Sequence, residues 1–169
     1  SDWQSRFVCD GHYWVWVYQH TQSETKFNQL IQQIRSGHIT VPLNPLCCNF
    51  GALPAEAVFR SMYYAGFLQR KYDLPFLLAI PMEDQTLPWG LASLWSGCGA
   101  QFSWKGICNC ATRIKDAGDR EHEIYYWTGP DGRKILMKWN SLLHNNLSMG
   151  GYAEARDPWK IVPYVTSDP

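Results

Sequence analysis

The sequence predicts an α/β fold, and three observations carry that prediction. Short β-forming runs alternate with segments of helical spacing, in the order strand, helix, strand, helix, strand, helix, strand. Residues 76–80, Phe-Leu-Leu-Ala-Ile, are apolar throughout, as expected of a strand covered on both faces in a parallel sheet. Residues 123–128 and 133–139 flank Gly129-Pro130-Asp131-Gly132, which reads as a β-hairpin with proline and Asp-Gly at its turn.

The elements follow in order. Phe7-Val8-Cys9 reads as a strand that ends near Cys9, and Asp10-Gly11-His12 interrupts the apolar pattern before Tyr13. The aromatic and β-branched run at 13–18 leaves a loop or a helix start open there. Ser23 or Thr25 caps a helix whose apolar positions are Phe27, Leu30, Ile31 and Ile34. Gly37 stops it, because glycine takes the left-handed conformation that helix ends commonly use. Ile39-Thr40-Val41 is a short strand closed by Pro42, and a loop from Leu43 to Leu53 holds Asn44 and Asn49.

Pro54 opens a helix that runs on to Tyr72, with Val58, Met62 and Ala65 on its apolar side. After the apolar strand at 76–80, a further helix begins near Pro88 and ends at Gly97 and Gly99. Residues 100–104 are the next strand. From Asn140 onward the chain is polar and weakly periodic.

Composition narrows the function classes. Of 169 residues, 46% are apolar and 18% charged, a balance that supports a packed core over disorder. Lys+Arg and Asp+Glu number 15 each, which removes the electrostatic case for nucleic acid or an anionic membrane surface. No apolar run approaches the ~18 residues of a membrane span. Localisation and oligomeric state are left open.

Six cysteines form no Cys-x-x-Cys pair and read as free thiols behaving as small hydrophobes. Nine Trp and nine Tyr supply flat apolar faces with polar handles, which suit sugar rings and also build ordinary cores. Gly-x-Gly-x-x-Gly, P-loop, His-Glu-x-x-His and Gly-x-Ser-x-Gly motifs do not occur.

In α/β folds the loops at the carboxyl ends of strands carry the chemistry. Three such places hold polar groups: Asp10-Gly11-His12, Asn44 with Asn49, and Glu83-Asp84. The last is the sharpest, because two carboxylates follow a buried strand just before a helix. The N-terminal end of that helix favours an ionised carboxylate, suited to a nucleophile or a metal ligand. The plainer alternative is that Asp84 only caps the helix. Asp10 and His12 read as a solvated loop pair in preference to a metal site.

Taken as a series, these segments resemble the catalytic domain of family 38 glycoside hydrolases, the α-mannosidases. The resemblance rests on residues 34–41 (IRSGHITV), 53–65 (LPAEAVFRSMYYA), 80–91 (IPMEDQTLPWGL) and 126–136 (YWTGPDGRKIL), and covers roughly residues 7–139. It implies a partial seven-stranded β/α barrel plus the hairpin near 123–139, with residues 1–169 a fragment of one catalytic domain. It further implies a retaining, zinc-dependent hydrolysis of α-mannosides. Asp84 would be both nucleophile and zinc ligand, and Asp10 and Asn44 would face the carbohydrate substrate. The family's His-x-Asp metal motif is absent, and its remaining zinc ligands and general acid belong outside the fragment, which is expected to be inactive alone. Gln85-Thr86-Leu87-Pro88 replaces the usual small turn residues, so a one-residue slip would make Glu83 the relevant carboxylate. The competing readings are a metal-assisted carbohydrate deacetylase-like barrel and a non-catalytic sugar-binding module.

Overall fold

A computed structural model describes residues 4–46, 48–82, 86–106, 124–140, 143–144 and 147–148, which form a mixed α/β fold. Strand β1 (Phe7–Val8) pairs in parallel with β2 (Ile39–Thr40), and helices α1 (Tyr13–Thr21) and α2 (Glu24–Arg35) connect them. Helices α3 (Ala55–Arg60) and α4 (Tyr63–Tyr72) lead to β3 (Leu78–Met82). Helix α5 (Gly90–Gly97) precedes β4 (Phe102–Gly106), and β5 (Ile124–Thr128) and β6 (Lys134–Asn140) form the hairpin. The second sheet has the order β3-β4-β6-β5, parallel except for the antiparallel pair β5–β6. One backbone hydrogen bond, Leu43 N–H to Leu78 C=O at 2.7 Å, links the exit of β2 to β3. Strands β7 (Leu143–His144) and β8 (Leu147–Ser148) pair antiparallel. Among the described residues no closed barrel forms.

Local chemistry explains most of these boundaries. The Ser23 hydroxyl accepts from Lys26 N–H at 3.4 Å at the start of α2, whose Phe27, Ile31 and Ile34 are buried. Gly37 ends that helix at φ 78°. The run left open at 13–18 is the helix α1. Its start is tied to the β2 loop, where Tyr13 N–H donates to Pro45 C=O at 3.0 Å. Val15 is its one fully buried side chain, while Tyr13, Trp14, Trp16 and Tyr18 are exposed.

The single helix expected from Pro54 to Tyr72 is instead two, broken at Ser61 and Met62. Met62 N–H turns back to Phe59 C=O at 3.3 Å in a tighter turn, and the Ser61 carbonyl is taken by the imidazole of His12 at 2.9 Å. A side chain from another element has entered the break.

Trp95 of α5 lies at the centre of the core with no exposure. It meets Phe50 edge-on at 5.4 Å and Trp127 of β5 at 6.0 Å. The hairpin docks on the same helix. The Ser93 hydroxyl donates to the Asp131 carboxylate, and the Trp89 indole donates to Thr128 C=O at 2.6 Å. Gly129 lies so close that an added Cβ would meet Ser93 Oγ at 2.1 Å. Gly132 at φ 82° completes the turn.

Candidate functional site

The segments that follow β1 and β2 meet the middle of β3 at Asn44. Its side chain is fully buried, with the amide nitrogen donating to Leu46 C=O at 3.0 Å and the amide oxygen accepting from Ile80 N–H at 2.7 Å. Its backbone carbonyl accepts from His12 N–H at 3.1 Å. The loop after β1 presses on the same segment, for a Cβ on Gly11 would meet Pro45 O at 1.9 Å. Only glycine permits that approach. One residue thus ties the exits of β1 and β2 to β3, and its amide is engaged with backbone on both sides.

The end of β3 is irregular, with its register against β4 shifting between Ala79 and Met82. Pro81 brings no N–H to the ladder, and two side chains serve its neighbours. Asn44 accepts from Ile80, and the buried Ser103 hydroxyl of β4 donates to Ala79 C=O at 2.7 Å. Downstream, Thr86 Oγ1 accepts from Gly51 N–H at 3.2 Å, and a Cβ on Gly51 would meet Thr86 O at 2.3 Å. The chain is therefore held on both sides of residues 83–85. Glu83 and Asp84 themselves lie outside the described residues.

Asp10 is exposed at the exit of β1. Burial raises the neighbouring Cys9 thiol pKa, and the Asp10 charge adds to that. His12 is not the solvated partner expected from the sequence. It is 3% exposed, and its Nε2 lies 2.9 Å from Ser61 O. Its ring is 5.6 Å from that of Tyr64. Nδ1 has no hydrogen-bond partner among the described residues. Burial lowers its pKa, so the neutral ring with its proton on Nε2 suits this place. The Tyr64 hydroxyl donates to Gln19 at 2.6 Å, and burial pushes its pKa up to about 12.

Two polar residues here escaped the sequence reading. Ser103 and Lys105 are both buried in β4, and Lys105 stands in register with Met82, the last described residue before Glu83. A buried ammonium needs acceptors or an anion close by. Both sit in a five-residue strand whose alternation gives no hint that its polar members turn inward.

Among the described residues no three His, Cys, Asp or Glu side chains gather to hold a metal ion. The described donors at the strand ends do not form a zinc site by themselves: Asp10 is exposed, and His12 spends Nε2 on Ser61. Cys9, Cys48 and Cys98 are free thiols, Cys9 buried and the others half-buried.

No family model and no curated protein matches the sequence. The fold, however, is similar to a solved structure of an alpha-mannosidase from Enterococcus faecalis V583, with a TM-score of 0.61 at 14% identity. The match covers 82% of this chain and 15% of that one, so the chain spans a small part of that protein's length. At this identity the likeness establishes a shared fold.

Proposed function

We propose that this chain is part of a glycoside hydrolase catalytic domain that acts on α-mannosides with retention. In this reading its parallel strands are one side of a seven-stranded β/α barrel. The observation that carries it is the fold likeness to an alpha-mannosidase over 82% of the chain. Beside it stands a strand end, β3, held by Asn44 and Ser103 directly before two carboxylates. Exposure of Phe7 and Val8 on β1, which pairs on one side only among the described residues, fits a sheet that continues beyond it.

Asp84 attacks the anomeric carbon in this reading, forming a covalent glycosyl-enzyme that water then releases. A second carboxyl group about 5 Å away protonates the leaving oxygen and is supplied from outside this chain. A zinc ion with Asp84 among its ligands belongs to the same reading and would hold sugar hydroxyls. Asp10 lies toward the sugar. Asn44 acts by fixing the loop that carries it and the middle of β3, through Ile80 N–H.

The full-length protein should turn over a chromogenic α-mannoside, and Asp84→Asn should abolish that turnover while Glu83→Gln retains it. Robust activity in Asp84→Asn with loss in Glu83→Gln would move the nucleophile by one residue. Inactivity of the parent on every α-mannoside would overturn the reading.

A second reading, a non-catalytic sugar-binding module, is favoured by the exposed aromatic side chains of α1. It predicts sugar affinity unchanged by chelator and by Asp84→Asn.

A further inference from the structure

Helix α1 has an unusual surface. From Gly11 to Ser23 the chain carries no Asp, Glu, Lys or Arg. Yet Tyr13, Trp14, Trp16 and Tyr18 are 41%, 54%, 42% and 36% exposed. Contiguous exposed aromatic surface usually marks an interaction site.

The stripe is ordered. Tyr13 and Trp16 lie nearly parallel, with centroids 5.8 Å apart and planes 14° apart, and Trp16 and His20 lie 4.2 Å apart. His20 Nδ1 is fixed on Trp16 O at 2.7 Å. The phenol and indole polar atoms of Tyr13, Trp14, Trp16 and Tyr18 make no hydrogen bond among the described residues. The helix begins three residues after the exposed Asp10, so the stripe starts beside the exit of β1.

We infer that this face of α1 binds a neutral oligosaccharide, extending the site at the strand ends along the helix. Charge complementarity selects the occupant. An uncharged face offers nothing to an acidic or basic partner, whereas the weakly polar C–H faces of a sugar lie on aromatic rings. Sugar hydroxyls in turn meet indole N–H and phenol groups at the rim. Rigid Tyr and Trp side chains lose little freedom on binding, which suits a preorganised platform. The inference rests on the glycosidase reading for the sugar class, and on the helix surface alone for the site.

The test uses the full-length chain and three probes, a manno-, a gluco- and a chito-oligosaccharide of five units each. Affinity is followed by tryptophan fluorescence and by saturation transfer from protein to sugar. Trp16→Ala should weaken binding of the preferred probe about tenfold. Trp16→Phe should keep most of it, and Tyr63→Ala, an exposed ring on α4, should change nothing. Equal affinity in Trp16→Ala and the parent, or no binding of any probe, overturns the inference. So does a change of sedimentation in Trp16→Ala with sugar affinity intact, which assigns the face to a second copy of the chain. Turnover by the unmutated protein is measured in parallel. Binding through Trp16 without turnover counts against the hydrolase reading and leaves the platform standing.

Discussion

The side-chain oxygen of Asn44 accepts a hydrogen bond from the backbone N–H of Ile80 at 2.7 Å, in a place closed to solvent. Together with the Ser103 hydroxyl on Ala79 C=O, that contact holds β3 at the point where Pro81 interrupts its ladder. Asn44→Ala leaves the Ile80 N–H buried without an acceptor, at a cost of about 1–3 kcal/mol. Hydrogen exchange read at the Ile80 amide should speed up by about one to two orders of magnitude. Unchanged exchange there would show that Asn44 does not hold the strand.

Glycine is needed at position 11 for space. A methyl group there would sit 1.9 Å from Pro45 O, and that carbonyl is itself held by Tyr13 N–H. Gly11→Ala should destabilise by about 2 kcal/mol or more, seen as a lower melting temperature. Gly90 at the start of α5 is the contrast, since an added Cβ meets nothing within 4 Å. Gly90→Ala should be neutral or stabilise by up to about 1 kcal/mol. Equal effects of the two substitutions would refute the steric argument.

Acid should loosen the junction of α3 and α4 through His12. Its folded-state pKa is lowered from the ordinary 6.5, chiefly by burial. The neutral ring is therefore the native form, and the stability tied to it is fully present above pH 6.5. As pH falls from there through the lowered value, the unfolded chain takes up a proton that the fold resists, and that stability is lost. The ring faces Tyr64 of α4, and Asp10 is the nearest carboxylate in sequence, two residues away. His12→Gln should flatten the decline of melting temperature between pH 6.5 and more acid values, and an unaltered slope would assign it to other groups.

Zinc dependence is open to a direct measurement. Chelation should abolish turnover of a chromogenic α-mannoside by the full-length protein, and added zinc should restore it. Chelation should leave the exchange rates of β3 and β4 unchanged, because their described contacts are hydrogen bonds within the chain. Full activity in chelator would remove the metal from the proposed function.

Much of the fold is legible in local chemistry. Ser23 and Gly37 bracket α2 where the sequence places a cap and a stop, and Gly132 turns the hairpin that Pro-Asp-Gly announces. The apolar run at 76–80 marks a strand only in part: pairing begins at Leu78 and runs to Met82, Phe76, Ala79 and Ile80 are buried, and Leu77 ahead of the strand is exposed. Each of these rests on interactions between residues close in sequence, or on a periodicity that burial imposes. Glu83 and Asp84 stand out in the sequence only by their place after that strand, and their own geometry lies outside the described residues.

What local chemistry could not decide is where distant groups meet. Asn44 and Ser103 satisfy β3 backbone groups across separations of 36 and 24 residues, and His12 reaches Ser61 across 49. A polar side chain carries the same donors and acceptors whether it faces water or a buried peptide group. Only the packing of the strands selects between those partners, and so only the tertiary structure turned Asn44 into the tie between β3 and the exits of β1 and β2, and His12 from a loop residue into part of the core.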